Sequence, residues 1–314
     1  MPLNPSLITQ PLIGNVFRKD TSRHLAKGPK GDDMSTVNAV ALAPPSNSSF
    51  GTRALTLAAK TWWTVTLLGL WMFLLYIAGF YGRAIVTGNL QDWNLNHNLF
   101  KGYVPGDSTW NLYLGAHVLL AAVIAFGGVL QMVPQIRRRA PGFHRWNGRL
   151  FMLTAFGGGI TGLWMTWVRG VGVSGGSQLG LIALSLDAAL IVFFAIMAWV
   201  RIRQGDINAH RHWALRLFMV ANGVWFLRLG VFSWFLLTGG FGMTDNLDGP
   251  VNFIIDFASY LVPLAFLELY LRIRNNDVRW AKTALAAGLL VSTAYMSVGI
   301  VALTMNELPL VVRF

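Results

Sequence analysis

The chain is 314 residues long, 54% hydrophobic and only 12% charged, with a mean hydropathy of +0.50. A soluble protein carries about twice that charged fraction, so the composition excludes an ordinary water-soluble globule. The net charge of +12 is spread over short loops rather than one basic domain, which argues against nucleic-acid binding, and the absence of cysteine excludes disulfides, thiolate metal ligands and cysteine nucleophiles.

Residues 1–60 are polar, rich in Pro, Ser, Asn and Gly, and lack helical periodicity. They read as a disordered cytoplasmic tail without the apolar core and small-residue cleavage site of a signal peptide. Met34 opens a stretch, MSTVNAVALAPPSNSSF, that itself resembles a protein beginning, so translation starting at Met34 rather than Met1 is one expectation. A membrane-crossing helix needs about 20 predominantly apolar residues. Seven such runs follow: Thr61–Gly82, Trp110–Val133, Leu150–Val168, Leu179–Val200, Trp213–Leu237, Val251–Leu271 and Thr283–Met305. The expected fold is therefore an all-α polytopic bundle of seven transmembrane helices over residues 61–305, with a short external tail at 306–314.

The loops set the expected threading. Gln131–Arg149 contains Arg137, Arg138, Arg139, Arg145 and Arg149 between two apolar runs, as cytoplasmic loops do under the positive-inside rule. Arg201, Arg203, Arg211 and Arg216 mark the 4–5 loop, and Arg272, Arg274, Arg279 and Lys282 the 6–7 loop, whereas the 3–4 loop holds only Arg169 and the 5–6 loop the acids Asp245 and Asp248. The N-terminus is thus expected inside and the C-terminus outside, with Arg137–Arg139 placed to meet anionic lipid headgroups. Gly158 and Gly162 in the third run form a small-xxx-small pair, which lets helix backbones approach closely.

Ionisable residues within spans are costly and are candidates for function. Counting from the span ends at about 1.5 Å per residue, His117, Asp187, Arg228 and Asp256 fall at one level in the outer third of the bilayer. Tyr260 shares a helical face with Asp256, so these five form a candidate ligand site, and Arg228 is expected to pair with at least one aspartate. A structural ion pair with a hydrogen-bonded histidine is the competing reading. Pro263, on the same face, is expected to free a backbone carbonyl and kink the sixth span. A second polar group, Gln131, His144, His210, His212 and Glu268, gathers at the inner face, where imidazoles could serve a haem or simply pair with headgroups and backbone carbonyls.

His117, Gly128, Gln131 and Pro134, then RRRAPGFHRWNGRLF at Arg137–Phe151, HRHWALRLF at His210–Phe218 and Arg228 together resemble the bacterial membrane proteins grouped as domain of unknown function 2306, over about Trp110–Phe235. The resemblance implies a bacterial integral membrane protein, expected in the cytoplasmic (inner) membrane, and brings no activity with it.

Two functional readings remain. One is a small-ligand binding protein or proton-linked carrier using His117, Asp187, Arg228, Asp256 and Tyr260 in a buried polar site. The other is a transmembrane redox protein carrying haem b, with His144, His210 and His212 as candidate ligands. His117 and Gln131 lie one haem-pair spacing apart, but glutamine is a poor haem ligand. An intramembrane metal hydrolase lacks its close histidine pair, so no metal site is expected. A retinal protein lacks a lysine in mid-membrane of the seventh span.

Overall fold

A computed structural model describes residues 50–96, 102–169, 177–244, 247–276 and 278–312. All the regular structure among them is helical. Helix α1, Phe50–Ile77, passes through a π-helical turn, Ala78–Gly82, into α2, Arg83–Thr87, followed by a 3-10 turn at Leu90–Leu95. Then come α3 (Ser108–Met132), the short α4 (Pro134–Arg139), α5 (Pro141–Arg169), α6 (Gln178–Arg203), α7 (Ile207–Ala221), α8 (Gly223–Thr238), α9 (Pro250–Ile273) and α10 (Arg279–Val312).

Six of these segments are long and apolar enough to cross a membrane, and α7 with α8, bent by 47°, supplies a seventh as one broken span. The local reasons are legible. Asp107, Ser177 and Asp206 each cap a helix by accepting the backbone N–H three residues on, from Trp110, Gly180 and Ala209. Pro250 opens α9 at a position where its missing N–H costs nothing. Gly239 ends α8 in the left-handed region, at φ 67°.

Three expected boundaries move. The tail read as disordered over 1–60 is helical from Phe50, because α1 continues upstream of its apolar run with Leu55 and Ala58 packed in the core; residues 1–49, Met34 among them, lie outside the described residues. The external tail expected at 306–314 is helical to Val312, since the apolar LPLVV after Glu307 prolongs α10 and Pro309 does not break it. The fifth span is two helices rather than one. The kink expected at Pro263 leaves α9 unbroken from Pro250 to Ile273.

The broken span lies at the centre. Leu217, Phe218, Met219, Val220, Trp225, Phe226, Leu227 and Leu229 are all buried, which a helix achieves only when packed on several sides. α10 packs on α1 and α8, α5 lies between α3 and α6, and α6 runs along α7. Glycines allow the closest approaches. A β-carbon on Gly299 of α10 would come within 2.6 Å of the Leu229 carbonyl oxygen and 2.5 Å of Ser233 Oγ on α8. Gly158 is different, because a β-carbon there would meet only Ile124 Cδ1 at an ordinary 3.5 Å.

The two glycines therefore separate by substitution. Gly299→Ala is expected to cost about 1–3 kcal/mol through forced separation of α8 and α10, whereas Gly158→Ala is expected to be neutral or stabilising by up to about 1 kcal/mol from helix propensity. Thermal melting of both variants in detergent, followed by size-exclusion chromatography, checks the contrast.

Candidate functional site

The candidate site grows from the break between α7 and α8. At Asn222 the helical ladder is interrupted, and the Asn222 side chain donates from Nδ2 to the Phe218 carbonyl oxygen at 2.8 Å, satisfying an acceptor that the break would expose. Gly223 then begins α8. A β-carbon on Gly223 would lie 2.6 Å from Asp187 Oδ2, so the glycine is what lets the Asp187 carboxylate reach the start of α8. A carboxylate is favoured there by the partial positive charge of a helix N-terminus. Asp187 is buried, and its Oδ1 has no hydrogen-bond partner.

A cavity of about 160 Å³ opens at this point. Its walls come from α1, α3, α5, α6 and the α7–α8 junction, and most of the lining is apolar. His117, Asp187, Asn222 and Arg228 are among its polar groups, with Tyr76 and Tyr81 from the first span. Gly158 and Gly162, read from sequence as a packing pair, face both α3 and this cavity; the His117 ring lies 3.4 Å from where a Gly162 β-carbon would be.

Each polar group has a geometric reason for its place. Thr161 Oγ donates to the carbonyl of Gly157 at 2.9 Å, so its single proton is committed. The 3.1 Å contact between His117 Nδ1 and Thr161 Oγ then assigns the imidazole proton to Nδ1, leaving Nε2 as the acceptor. Arg228 forms an ion pair with Glu307 Oε1 at 3.2 Å, both side chains being almost wholly buried, and its guanidinium carbon lies 5.2 Å from the centre of the Phe73 ring. The π-helical turn brings Tyr81 onto the face that Tyr76 occupies, an i, i+5 relation that a regular α-helix would not give. Asn96 donates to both phenol oxygens, at 2.6 and 3.3 Å.

The structure thus brings His117, Asp187 and Arg228 to one cavity. Asp256 and Tyr260 line a second, of about 10 Å³, which shares Asp187, Leu184 and Val224 with the first. Arg228, expected to pair with an aspartate, forms an ion pair with Glu307 on α10. Sequence reasoning passed over Glu307 because it fell two residues beyond the assigned end of the seventh run. The signal was the apolar LPLVV that follows it. Tyr76, Tyr81, Asn222 and Gly223 were also missed, since tyrosines are common near membrane interfaces and an Asn-Gly pair inside an apolar run carries little hydropathy signal.

The inner polar group is arranged differently. Arg216 holds Glu268 through two hydrogen bonds, at 2.5 and 3.0 Å, and lies over the Trp213 ring. Gln131 donates to the His144 carbonyl oxygen at 2.8 Å, and His210 Nδ1 donates to the Ala198 carbonyl oxygen at 2.9 Å. His144 lies within electrostatic reach of His210, whereas His212 sits among Arg211, Arg216, Arg274 and Glu268. None of His144, His210 and His212 lines either cavity. Among the described residues no group of three or more His, Cys, Asp or Glu is placed to hold a metal ion.

Fold and site together define an all-helical, multi-pass integral membrane protein with a polar-tipped cavity inside the bundle. A family model described as a predicted membrane protein (DUF2306) matches residues 114–277, and the chain belongs to that family. No curated protein and no solved structure matches the chain.

The Arg228–Glu307 pair is open to a direct test. Glu307→Leu or Arg228→Met alone leaves one charge buried without this partner, an expected loss of about 3–5 kcal/mol. The double variant is expected to recover most of that loss, and a double-mutant cycle on melting temperatures reads the coupling.

Proposed function

We propose that the chain is a membrane-embedded binding protein or carrier for a small, largely apolar molecule that bears a hydrogen-bond-donating group. The single observation that supports this is the 160 Å³ cavity with a buried, unpartnered acceptor, Asp187 Oδ1, in its wall. Mostly apolar pockets with a few convergent polar groups are the usual form of small-molecule sites, and broken helices frame the substrate sites of many transporters. The apolar walls take the body of the ligand. Asp187 accepts from its polar end, and His117 Nε2 and the phenols of Tyr76 and Tyr81 offer further contacts. The Arg228–Glu307 pair closes one end of the wall as a neutral unit. The haem reading has less support, because it needs two imidazoles facing one space and His117 is the only histidine in the walls of the two cavities.

The same reading places the chain in a bacterial cytoplasmic membrane with its N-terminus inside and C-terminus outside. Arg137, Arg138 and Arg139, exposed on α4 close to the exposed Phe143 and Trp146, then meet anionic headgroups of the inner leaflet. A C-terminal alkaline phosphatase fusion is expected to be active and an N-terminal one inactive; the reverse pattern overturns the orientation.

Native mass spectrometry of the protein purified from its membrane is expected to show a bound small molecule at near-stoichiometric occupancy. Ala121→Phe, which fills the cavity from α3, is expected to lose that mass while melting within about 2 °C of the parent. Retention of the same ligand by a folded Ala121→Phe protein would refute the assignment. A visible spectrum with a Soret band that shifts on reduction would return the haem reading.

A further inference from the structure

The small cavity between α6, α8 and α9 has features that the larger one does not account for. Its volume of about 10 Å³ is that of a single water-sized occupant. Two oxygens belonging to its lining residues have no hydrogen-bond partner, Asp187 Oδ1 and Tyr260 Oη, on residues only 6% and 1% exposed. The Asp187 carboxylate is held against Gly223, itself part of the same wall. The Tyr260 hydroxyl lies within electrostatic reach of Asp187 and Asp256. Ser259 completes the polar wall; its Oγ donates its proton to the Asp256 carbonyl oxygen at 2.8 Å, so the hydroxyl lone pairs remain available.

Among the described residues Asp187 forms no ion pair; Arg216 pairs with Glu268 and Arg228 with Glu307. A carboxylate at this depth is costly unless its charge is compensated, and the α8 N-terminus supplies only a fraction of a charge. A proton on Asp187 would fill neither the space nor the valence of Tyr260 Oη. A water molecule would fill the space and leave the charge. A small cation does both, as would a proton on Asp187 together with a water, and side chains that offer oxygen and no nitrogen or sulfur suit the hard cation.

We propose that this cavity is an alkali-metal cation site of Na⁺ size, with Asp187 Oδ1 and Tyr260 Oη as ligands and Asp256 and Ser259 supplying further oxygens. The site shares Asp187 Oδ1 with the reading of the larger cavity, but its occupant is a cation and not that cavity's ligand. Because Asp187 belongs to both walls, an occupant of either cavity changes the electrostatics of the other.

The test is thermal unfolding of the full-length purified protein in NaCl, LiCl and KCl against choline chloride, at constant ionic strength and neutral pH. Na⁺ is expected to raise the melting temperature saturably by about 2–4 °C relative to choline. Tyr260→Phe removes one ligand oxygen with little change in volume and is expected to raise the half-saturating Na⁺ concentration about tenfold or more. Asp187→Asn is expected to abolish the response, and where that variant does not fold, Tyr260→Phe decides alone. No alkali-cation-specific rise in the parent protein overturns the site, as does a rise that Tyr260→Phe leaves unchanged, or one that follows pH and not Na⁺. Ligand retention in the larger cavity is read separately by mass spectrometry, so failure here leaves that reading standing.

Discussion

A guanidinium inside a membrane bundle must find a counter-charge, and much of this structure follows from where Arg228 finds one. The partner, Glu307, stands near the far end of α10. For the two to meet, α10 must continue helically beyond its most apolar stretch and stay close to α8. Gly299 permits that approach by leaving room for the α8 backbone, and Gly69 leaves room for Trp225 of α8 and Ile300 of α10. The first span closes the other side, with Phe73 under the guanidinium and Tyr76 within electrostatic reach of both charges. Three spans distant in sequence are thus drawn together by one pair whose separation would strand a charge in a medium of low dielectric constant.

The break at Asn222 is the complementary feature. Interrupting a helix inside a bilayer exposes backbone groups that lipid cannot satisfy, so it persists only where side chains or a cavity take over. Asn222 does so for Phe218, and the cavity lies against the residues that flank it. The break also creates a helix start in the interior, and Asp187 is the acid that faces it. A continuous fifth span would have offered Asp187 neither the glycine-sized gap nor the N-terminal dipole. Arg228, by contrast, lies within the regular part of α8 and would keep its place. The cavity is in this sense a consequence of the break rather than of the ion pair.

Most of the architecture was legible in sequence because the membrane imposes a length scale. Six spans were recognised from apolar runs alone, and of the four residues that depth counting put at one level, His117, Asp187 and Arg228 line the larger cavity and Asp256 the smaller. What escaped was set by tertiary geometry. Hydropathy averages over a window, so a two-residue interruption such as Asn222–Gly223 vanishes inside a long apolar run. A window also ends early when a carboxylate intrudes, which left Glu307 outside the seventh span although its function in the fold is internal. Residues 50–60 read as tail because their helix is held by packing of Leu55 and Ala58 on neighbours, and packing has no local signature. The pairing of Arg228 could not be chosen among three acids from depth alone, because rotation about the helix axis decides it.

The outer and inner polar groups can now be told apart by how completely they satisfy themselves. At the inner face Arg216 takes both oxygens of Glu268, Gln131 takes the His144 carbonyl and His210 takes that of Ala198, with His144 Nδ1 left over. These are bonds that tie neighbouring helices at an interface, where water and headgroups meet any remaining need. In the outer group the unsatisfied atoms include Asp187 Oδ1, Tyr260 Oη and the donor Trp225 Nε1, deep in the bundle and beside space. A buried polar atom without a partner lowers stability, and a fold selected only for strength would remove it by substituting an apolar residue of similar volume. Keeping such atoms next to two cavities makes physical sense when something that enters those cavities completes them.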